Sequence, residues 1–468
     1  MSLSNSSIKR NPLSLSKSQN IISQKDVSQF LSSIVNSSDL SEKASKYAIL
    51  QFVKIIGKHK GTAEEIKELK NGYFTSFGTD NKIIIYDINF NIKIQGEDIG
   101  EWIYHALEIT SQEKIQRDIH LILCTNQNLY LNQINVEKNT SRMQMYNYGG
   151  VICLELKKNN YVICNEKGVD HFSDLFSKII QSKKNTLFEN AFRGGYVLNQ
   201  NLVAFSSNIV LPNGENLLKF YNPNSKKVTK EIRDKNNNGY SFIMSSNGLL
   251  LIENEVTSLK YKKIFLAASK KYFDTQKNGI LTLVSLFNET DGISEKFYPT
   301  DNFEVYCFCQ LSIIKNKTID SGKILDNKEN DKVESTKTNY FLVGGLDEDT
   351  RCGLIKLYKA KFDENANDTY IKFIQDIVIE KTERSFEIPN NEKENNSQNE
   401  KLNEYKRKVL KERNTFNRFN GPISSIIQSN FTGNIIVTCY DGNVYLLTPP
   451  NLEYYFSKDK EEEQQRSS

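Results

Sequence analysis

The chain has 468 residues, a mass of 53.8 kDa and nearly balanced charge, with 61 Lys and Arg against 57 Asp and Glu. This length accommodates a large core or a repeat architecture, and the formal net charge of +4 gives no reason to predict a nucleic-acid or acidic-membrane partner. No apolar run reaches the roughly 18 residues that a membrane-spanning helix needs.

The seven cysteines lie mostly inside apolar strand patterns, which indicates buried free thiols in a reducing compartment. Cys307 and Cys309 share one face of a predicted strand, but no second pair at a zinc spacing accompanies them. The N-terminus lacks the apolar core of a signal peptide; its Ser-rich, basic composition is shared by disordered cytosolic tails and by organelle transit peptides. We therefore expect the protein in the cytoplasm or the nucleus.

The N-terminal residues 1–40 are predicted to be a disordered tail that contains one short helix. The helix is indicated by apolar residues at helical spacing, from Val27 and Phe30 to Ile34. Residues 49–56 are either the end of a helix or a strand, and we favour the strand because of the C-terminal pattern described below.

Residues 57–94 form the first predicted repeat of the chain. Strands are predicted at 63–69, 73–77 and 83–87, separated by turns at Asn71-Gly72 and at Thr79-Asp80-Asn81. This repeat resembles the WD40 family, in which a Gly-His pair opens the repeat, an Asp occupies the turn before the third strand, and a Trp-Asp pair closes that strand.

The residues that carry the resemblance are Gly57 and His59, with one residue between them, Asp80 in the turn, and Tyr86-Asp87 in place of Trp-Asp. The chain departs from the family pattern at the tryptophan. The resemblance covers this repeat and the last one, and it implies the fold more strongly than any function.

Five further repeats are predicted between residues 102 and 379 from short apolar strand patterns and turn signals. Their approximate limits are 102–145, 151–180, 195–232, 240–297 and 303–379. Two polar insertions, about 315–337 and 380–419, are predicted to be disordered surface loops. Residues 401–413 within the second insertion have helix-forming composition and are interpreted as a soluble spacer or as a docking element for an acidic partner.

Residues 421–450 contain three short β-patterned runs within one repeat-sized segment, with turns at Thr432-Gly433-Asn434 and Asp441-Gly442. Because a three-stranded meander cannot bury both of its faces alone, it needs stacked neighbours and a fourth strand. We therefore predict an all-β, WD40-like β-propeller of about seven four-stranded blades over residues 41–456. The N-terminal strand is predicted to close the ring by pairing with the C-terminal blade, and residues 457–468 are predicted to be a disordered acidic tail.

The chain shows no signature of a metal, cofactor or catalytic site. The four histidines His59, His105, His120 and His171 have no second ligand at metal spacing, and no phosphate-binding, dinucleotide-binding or nucleophile-elbow motif is present. We predict a protein that is not an enzyme and needs no cofactor.

Two sets of residues are nevertheless singled out. The first set is expected to brace turns and blades, in part by the WD40 resemblance: His59, Asp80, Tyr86, Asp87, Asp347 and Asp441. The second set is two candidate partner-binding residues, Trp102 and Arg193. For Trp102 we favour packing between blades over partner binding, and for Arg193 we favour an ordinary surface position.

The resemblance implies a non-catalytic interaction scaffold or adaptor that binds proteins or peptides through the propeller rim, for example as the substrate receptor of a ubiquitin ligase or in another multiprotein assembly. One other class is an RNA-associated or ribonucleoprotein subunit, suggested by Lys and Arg in loops but opposed by the balanced charge. A third class is a propeller enzyme, which requires a polar cluster at the channel mouth. Membrane, nucleic-acid and small-molecule partners are not expected.

Overall fold

The structure is a computed structural model that describes part of the chain, within the compact unit Ala48–Ser468. The described residues are 50–70, 72–109, 118–150, 152–157, 160–165, 168–173, 185–188, 194–199, 202–206, 217–225, 227–233, 238–239, 249–253, 261–271, 279–287, 292–300, 302–314, 335–363, 368–377, 379–381, 415–416, 418–450 and 452. The predicted tails 1–40 and 457–468 lie outside them, as do most of the two predicted insertions.

All regular elements in this described part are β-strands. Six sheets, called blades 1 to 6 here, are each formed by one continuous stretch of chain. Their strands are, for blade 1, β2 (Ala63–Glu68), β3 (Phe74–Gly78), β4 (Ile83–Tyr86) and β5 (Ile92–Gln95); for blade 2, β6 (His105–Glu108), β7 (Asp118–Cys124), β8 (Leu129–Asn135) and β9 (Thr140–Tyr146); for blade 3, β10 (Ile152–Lys157), β11 (Asn160–Asn165), β12 (Gly168–Ser173) and β13 (Asn185–Phe188); for blade 4, β14 (Gly194–Asn199), β15 (Leu202–Ser206), β16 (Leu217–Asn222) and β17 (Lys227–Arg233); for blade 5, β18 (Asn238–Gly239), β19 (Leu249–Glu253), β20 (Tyr261–Lys271), β21 (Gly279–Phe287) and β22 (Gly292–Pro299); and for blade 6, β23 (Phe303–Ile314), β24 (Ser335–Asp347), β25 (Gly353–Asp363) and β26 (Asp368–Asp376).

The remaining strands form a separate sheet, called the terminal sheet because it joins both ends of the described chain. It contains β1 (Leu50–Lys58), β27 (Ile379–Lys381), β28 (Thr415–Phe416), β29 (Ile423–Gln428), β30 (Ile435–Cys439) and β31 (Asn443–Leu447). Its strand order is β28-β27-β1-β31-β30-β29. Six consecutive blades and one composite sheet give a β-propeller arrangement.

This result corrects the predicted count of about seven uniform four-stranded blades. The structure has six blades, and the strands from the two ends of the chain form a mixed six-stranded sheet instead of another four-stranded meander. The physical reason is that β27 and β28, at the borders of the predicted loop 380–419, pair outside β1 and widen the sheet.

The N-terminal strand β1 lies between two strands from the C-terminal part of the chain. It runs antiparallel to β31, with Phe52 opposite Leu447 and Lys58 opposite Asn443. Its other edge pairs in parallel with β27. The pairing that was predicted between residues 49–56 and the last repeat is therefore present in the sheet.

Burial along a blade explains why these segments form strands. Every residue of β3 and β4 is buried, because neighbouring sheets cover both faces of the middle strands. The outer strand β5, in contrast, buries only Ile94. At the turn between β30 and β31, Gly442 has φ +84, the backbone region that favours glycine in a tight hairpin.

The apolar core lies between adjacent sheets. Between blades 1 and 2, Phe77 and Ile85 pack in one cluster with Leu121. Between the terminal sheet and blade 1, Val444 packs in another cluster with Phe74. The same pattern recurs between blades 2 and 3, blades 3 and 4, and blade 6 and the terminal sheet. Each of these sheets therefore depends on its neighbours for the burial of its faces.

The antiparallel order of the strands gives each four-stranded blade two distinct ends. The turns between second and third strands, and the connections to the next blade, lie at one end, the upper rim; the turns between first and second strands lie at the other, the lower rim. In the terminal sheet, β29, β30 and β31 are the corresponding first three strands.

At the lower rim, the last residue of a first strand bonds to the preceding sheet in three successive cases. Glu68 accepts hydrogen bonds from Asn430, Glu108 accepts one from the Lys70 amide, and Gln428 exchanges two with the backbone of Ser312. These contacts, called lower-rim latches here, fix the register between adjacent sheets.

Candidate functional site

The upper rim is the candidate functional site because buried polar groups brace it and aromatic side chains reach its surface. In blade 1, one chain of hydrogen bonds crosses the sheet from the rim toward the core. His59 Nδ1 lies 2.8 Å from an Asp80 carboxylate oxygen, and His59 Nε2 lies 2.9 Å from the Ser76 hydroxyl. The Ser76 hydroxyl lies 2.9 Å from the Tyr86 hydroxyl.

The direction of each hydrogen bond in this series follows from the Asp80 carboxylate, which can only accept. With Nδ1–H donating to Asp80, Nε2 accepts from Ser76, whose oxygen in turn accepts from Tyr86. Burial by itself raises the pKa of the Asp80 carboxyl, but the hydrogen bond and charge of His59 and the Lys60 amide outweigh it, so the pKa lies below the ordinary value. Burial raises the pKa of Tyr86. This arrangement holds the turn between β3 and β4 in one conformation.

Asp441 and Asp347 each close their own upper-rim turn. The Asp441 carboxylate accepts hydrogen bonds from the Asn443 amide at 2.9 Å and the Tyr445 hydroxyl at 2.5 Å. The Asp347 carboxylate accepts one from the Thr350 hydroxyl at 2.5 Å. The first of these turns also touches the first blade, since the amide of residue 59 donates to the Gly442 carbonyl.

Asp87 lies at the opposite end of blade 1, on the lower rim. Its carboxylate accepts hydrogen bonds from the amides of Asn89 and Asn91, both at 2.9 Å, and forms an ion pair with Lys93. Burial by itself raises the pKa of this carboxyl, but the Asn91 hydrogen bonds and Lys93 together hold it below its ordinary value. Asp87 therefore stabilises the turn between β4 and β5, away from the candidate site.

Two further rim networks were not predicted from the sequence. In blade 2, the Glu101 carboxylate accepts hydrogen bonds from Thr125, Asn128 and Tyr130. In blade 3, the Tyr148 hydroxyl donates to Asp170. The network of blade 2 joins the connection before the blade to the turn between its second and third strands, the same two segments that His59 and Asp80 join in blade 1. In blade 3 the connection is joined to the third strand, β12, instead.

Trp102 lies on the upper rim directly after Glu101. Its side chain is 52% exposed, and its ring centroid lies 6.3 Å from that of Tyr104. The Tyr104 hydroxyl is held by the Asn126 side chain at 3.0 Å. The exposure of Trp102 agrees with a surface role better than with packing between blades. Arg193, the other candidate partner-binding residue, lies outside the described residues.

Four residues from three neighbouring sheets come together at another part of the upper rim. Tyr306 and Glu304 belong to β23 of blade 6, Tyr440 follows β30 of the terminal sheet, and Glu64 belongs to β2 of blade 1. The two tyrosine rings meet edge to face, with centroids 5.9 Å apart and an interplanar angle of 88°. These four residues are called the tyrosine–glutamate site here.

The charges of both glutamates act on the tyrosines of this site. Burial raises the pKa of Tyr440, and the nearby charges of Glu64 and Glu304 raise it further. Burial, followed by Glu304, raises the pKa of Tyr306, whereas the charge of Arg351 opposes this. Burial raises the pKa of the Glu64 carboxyl, and a hydrogen bond from the Thr62 hydroxyl at 2.6 Å reverses only part of that rise.

A second polar group lies deeper, between the first strands of blades 1 and 2. Lys67 Nζ is 2.6 Å from His105 Nε2 and 3.6 Å from a Glu65 carboxylate oxygen. Burial, and then the charge of Lys67, holds the pKa of His105 well below its ordinary value. Burial also lowers the pKa of Lys67, with Glu65 opposing it. Within the described ranges, no cluster of His, Cys, Asp and Glu has the arrangement of a metal site.

Two further observations concern the cysteines and the possibility of a membrane-spanning helix. All seven cysteines are free, and all but Cys352 are buried. Across the part of the chain that the structure describes, no helix has the length and apolar character needed to cross a bilayer.

No protein-family model matches the chain, and no curated protein is similar to it. The arguments about its function therefore depend on the fold and on the upper rim.

Proposed function

We propose that the chain is a WD40-like propeller whose ring is closed by the terminal sheet, and that it acts as a non-catalytic interaction scaffold or adaptor. The WD40 assignment is supported by the hydrogen bond between His59 and Asp80, the two positions that the resemblance singles out. Tyr86, which stands in place of the family's tryptophan, is linked to the same pair through Ser76.

The observation that carries the proposal is the exposed aromatic side chain of Trp102 on a braced rim. A large, rigid ring that is already half exposed gains apolar burial on binding and loses little conformational entropy, which is why Trp is enriched among the residues that dominate interface energy. The hydrogen bonds of Glu101 hold the connection from which Trp102 projects. The rim is thereby preorganised for a protein or peptide partner.

The adaptor role in a multiprotein assembly, such as substrate reception for a ubiquitin ligase, is the form of this function that the WD40 resemblance favours. Free buried thiols favour action in the reducing cytoplasm or nucleus. The carboxylates of the tyrosine–glutamate site disfavour the alternative of RNA binding at that part of the rim, since they repel phosphates.

The test is affinity purification of the full chain, with Trp102→Ala compared against Met145→Ala. Met145 is 60% exposed and belongs to β9, the outer strand of the same blade, so it is a matched control for the loss of exposed apolar surface. A partner that is retained by wild type and Met145→Ala but lost with Trp102→Ala supports the proposal. Equal retention by both variants refutes binding through this part of the rim.

A further inference from the structure

The tyrosine–glutamate site is composed of groups that recognise a positive charge. The two aromatic rings contact each other edge to face at an interplanar angle of 88°, and the face of an aromatic ring attracts cations. Carboxylates complete the recognition of an ammonium or guanidinium group, because they accept charge-assisted hydrogen bonds.

Glu64 is the residue that most clearly needs a partner. Its carboxylate is partly withdrawn from water, and its described hydrogen-bond donor is the neutral Thr62 hydroxyl. Among the described residues, no Lys, Arg or His lies within ion-pairing distance of it. A half-buried carboxylate without a basic neighbour is destabilising, and a cation supplied from outside would offset that effect.

The position of the site restricts its occupant. The four residues come from blade 6, the terminal sheet and blade 1, at the end of the propeller where the turns and blade connections lie. A side chain that projects from a bound peptide can reach this rim, and the rings contribute apolar contact for the methylene groups of Lys or Arg. A bare metal ion would not use those rings.

We propose that the tyrosine–glutamate site binds a Lys or Arg side chain of a protein partner, with Tyr306 and Tyr440 contacting the cation and Glu64 and Glu304 supplying the negative charge. The proposal rests on the proposed rim-binding function and specifies one of its contacts. Arg351, exposed on the neighbouring turn between β24 and β25, is a nearby positive charge that competes with the incoming cation.

The test uses butylguanidinium as the probe and butylurea as its neutral isostere, with binding to the full chain followed by ligand-observed NMR. We expect millimolar binding of butylguanidinium and much weaker binding of butylurea. Glu64→Gln should weaken the binding of butylguanidinium by about fivefold to tenfold, and Tyr440→Leu should weaken it by a similar factor. Arg351→Ala should strengthen it.

Glu97→Gln is the matched control, because Glu97 is exposed in the upper-rim connection after β5 and the substitution removes the same charge. If Glu64→Gln and Glu97→Gln weaken butylguanidinium binding equally, the effect comes from general surface charge and the proposal is overturned. Equal binding of the two probes, or no binding of butylguanidinium to the wild type, would overturn it as well. If Tyr440→Leu does not fold, Tyr306→Leu tests the same ring pair.

The outcome is separable from that of the rim-binding proposal. If the butylguanidinium test is negative while Trp102→Ala still abolishes partner binding, the cation-site inference is wrong and the proposed interaction function remains supported. If butylguanidinium binds as expected but no partner depends on Trp102, the cation site is supported and binding through the Trp102 part of the rim is refuted.

Discussion

Replacing Glu68 by alanine removes a latch between blade 1 and the terminal sheet. The Glu68 carboxylate accepts hydrogen bonds from the Ser429 hydroxyl at 2.8 Å, the Asn430 amide at 2.9 Å and the Asn430 side chain at 2.6 Å. A weaker bond from the Phe431 amide, at 3.4 Å, completes the set. The substitution therefore removes the acceptor of the Ser429 hydroxyl and of both Asn430 donors, whereas the Phe431 amide keeps a bond to the Ser429 hydroxyl at 3.2 Å.

The expected loss in the free energy of unfolding depends on which of these donors water can reach. Ser429 is fully buried, so its hydroxyl loses a charged acceptor without replacement, which costs about 2 kcal/mol. Asn430 is exposed, and water can replace its bonds at a cost of about 0.5 kcal/mol. We therefore expect Glu68→Ala to lower the free energy of unfolding by about 2 to 3 kcal/mol, and Glu68→Gln, which keeps one acceptor oxygen, by about 1 kcal/mol.

The assay is urea denaturation, with the change taken from the midpoint at constant slope and with two spectroscopic probes required to coincide. Amide exchange at Asn430 should accelerate in parallel, because this N–H group loses its acceptor. Glu97→Ala, on an exposed residue, should change stability by less than about 0.5 kcal/mol. A Glu68→Ala effect as small as that of Glu97→Ala, with unchanged exchange, would refute the latch.

Three further predictions concern buried groups. Because the pKa of His105 in the folded state lies well below its ordinary value of 6.5, its contribution to stability is complete above that pH and is lost as the pH falls. The stability advantage of wild type over His105→Gln should therefore shrink by about 1 kcal/mol between about pH 7 and pH 5.5, and an advantage independent of pH would contradict the assignment. Tyr86→Phe should cost about 1 kcal/mol, and a double-mutant cycle with Ser76→Ala should show less than additive loss, whereas strict additivity would mean that the two hydroxyls do not interact. Gly442→Ala should lower stability more than Gly100→Ala, as measured by thermal unfolding. Both glycines have positive φ, but a Cβ at Gly442 would meet backbone oxygens at 2.5 Å, whereas a Cβ at Gly100 would meet nothing within 4 Å. Equal losses of stability would show that the close contact at Gly442 is relieved without penalty.

The sequence predicted the inner strands of the blades well because both faces of these strands are covered. Ile83–Tyr86 and Ile435–Cys439 are entirely buried, and the apolar runs within them show it directly. The outer strand Thr140–Tyr146 is mostly exposed and polar, so hydrophobic periodicity cannot reveal it. The short strands β27 and β28 were also missed, since their pairing with β1 and with each other, instead of their own composition, defines them.

The candidate site was less accessible to sequence reasoning than the fold. The resemblance pointed to His59 and Asp80, but a serine inside a strand such as Ser76 carries no signal of its role. Tyr306 and Tyr440 belong to different sheets that are distant in sequence, and only the packing of blade 6 against the terminal sheet brings their rings together. Such a site can be found only once the order of the sheets is known.

The parallel pairing of β27 with β1 has a consequence for synthesis on the ribosome. β1 is synthesised long before its antiparallel partner β31, so a strand with several apolar residues must wait for that partner. β27 leaves the ribosome before β31 and offers β1 an earlier neighbour. Nascent chains that are halted far enough beyond residue 381 for β27 to have left the ribosome should therefore protect the N-terminal strand from proteolysis better than shorter chains in which β27 has not yet emerged.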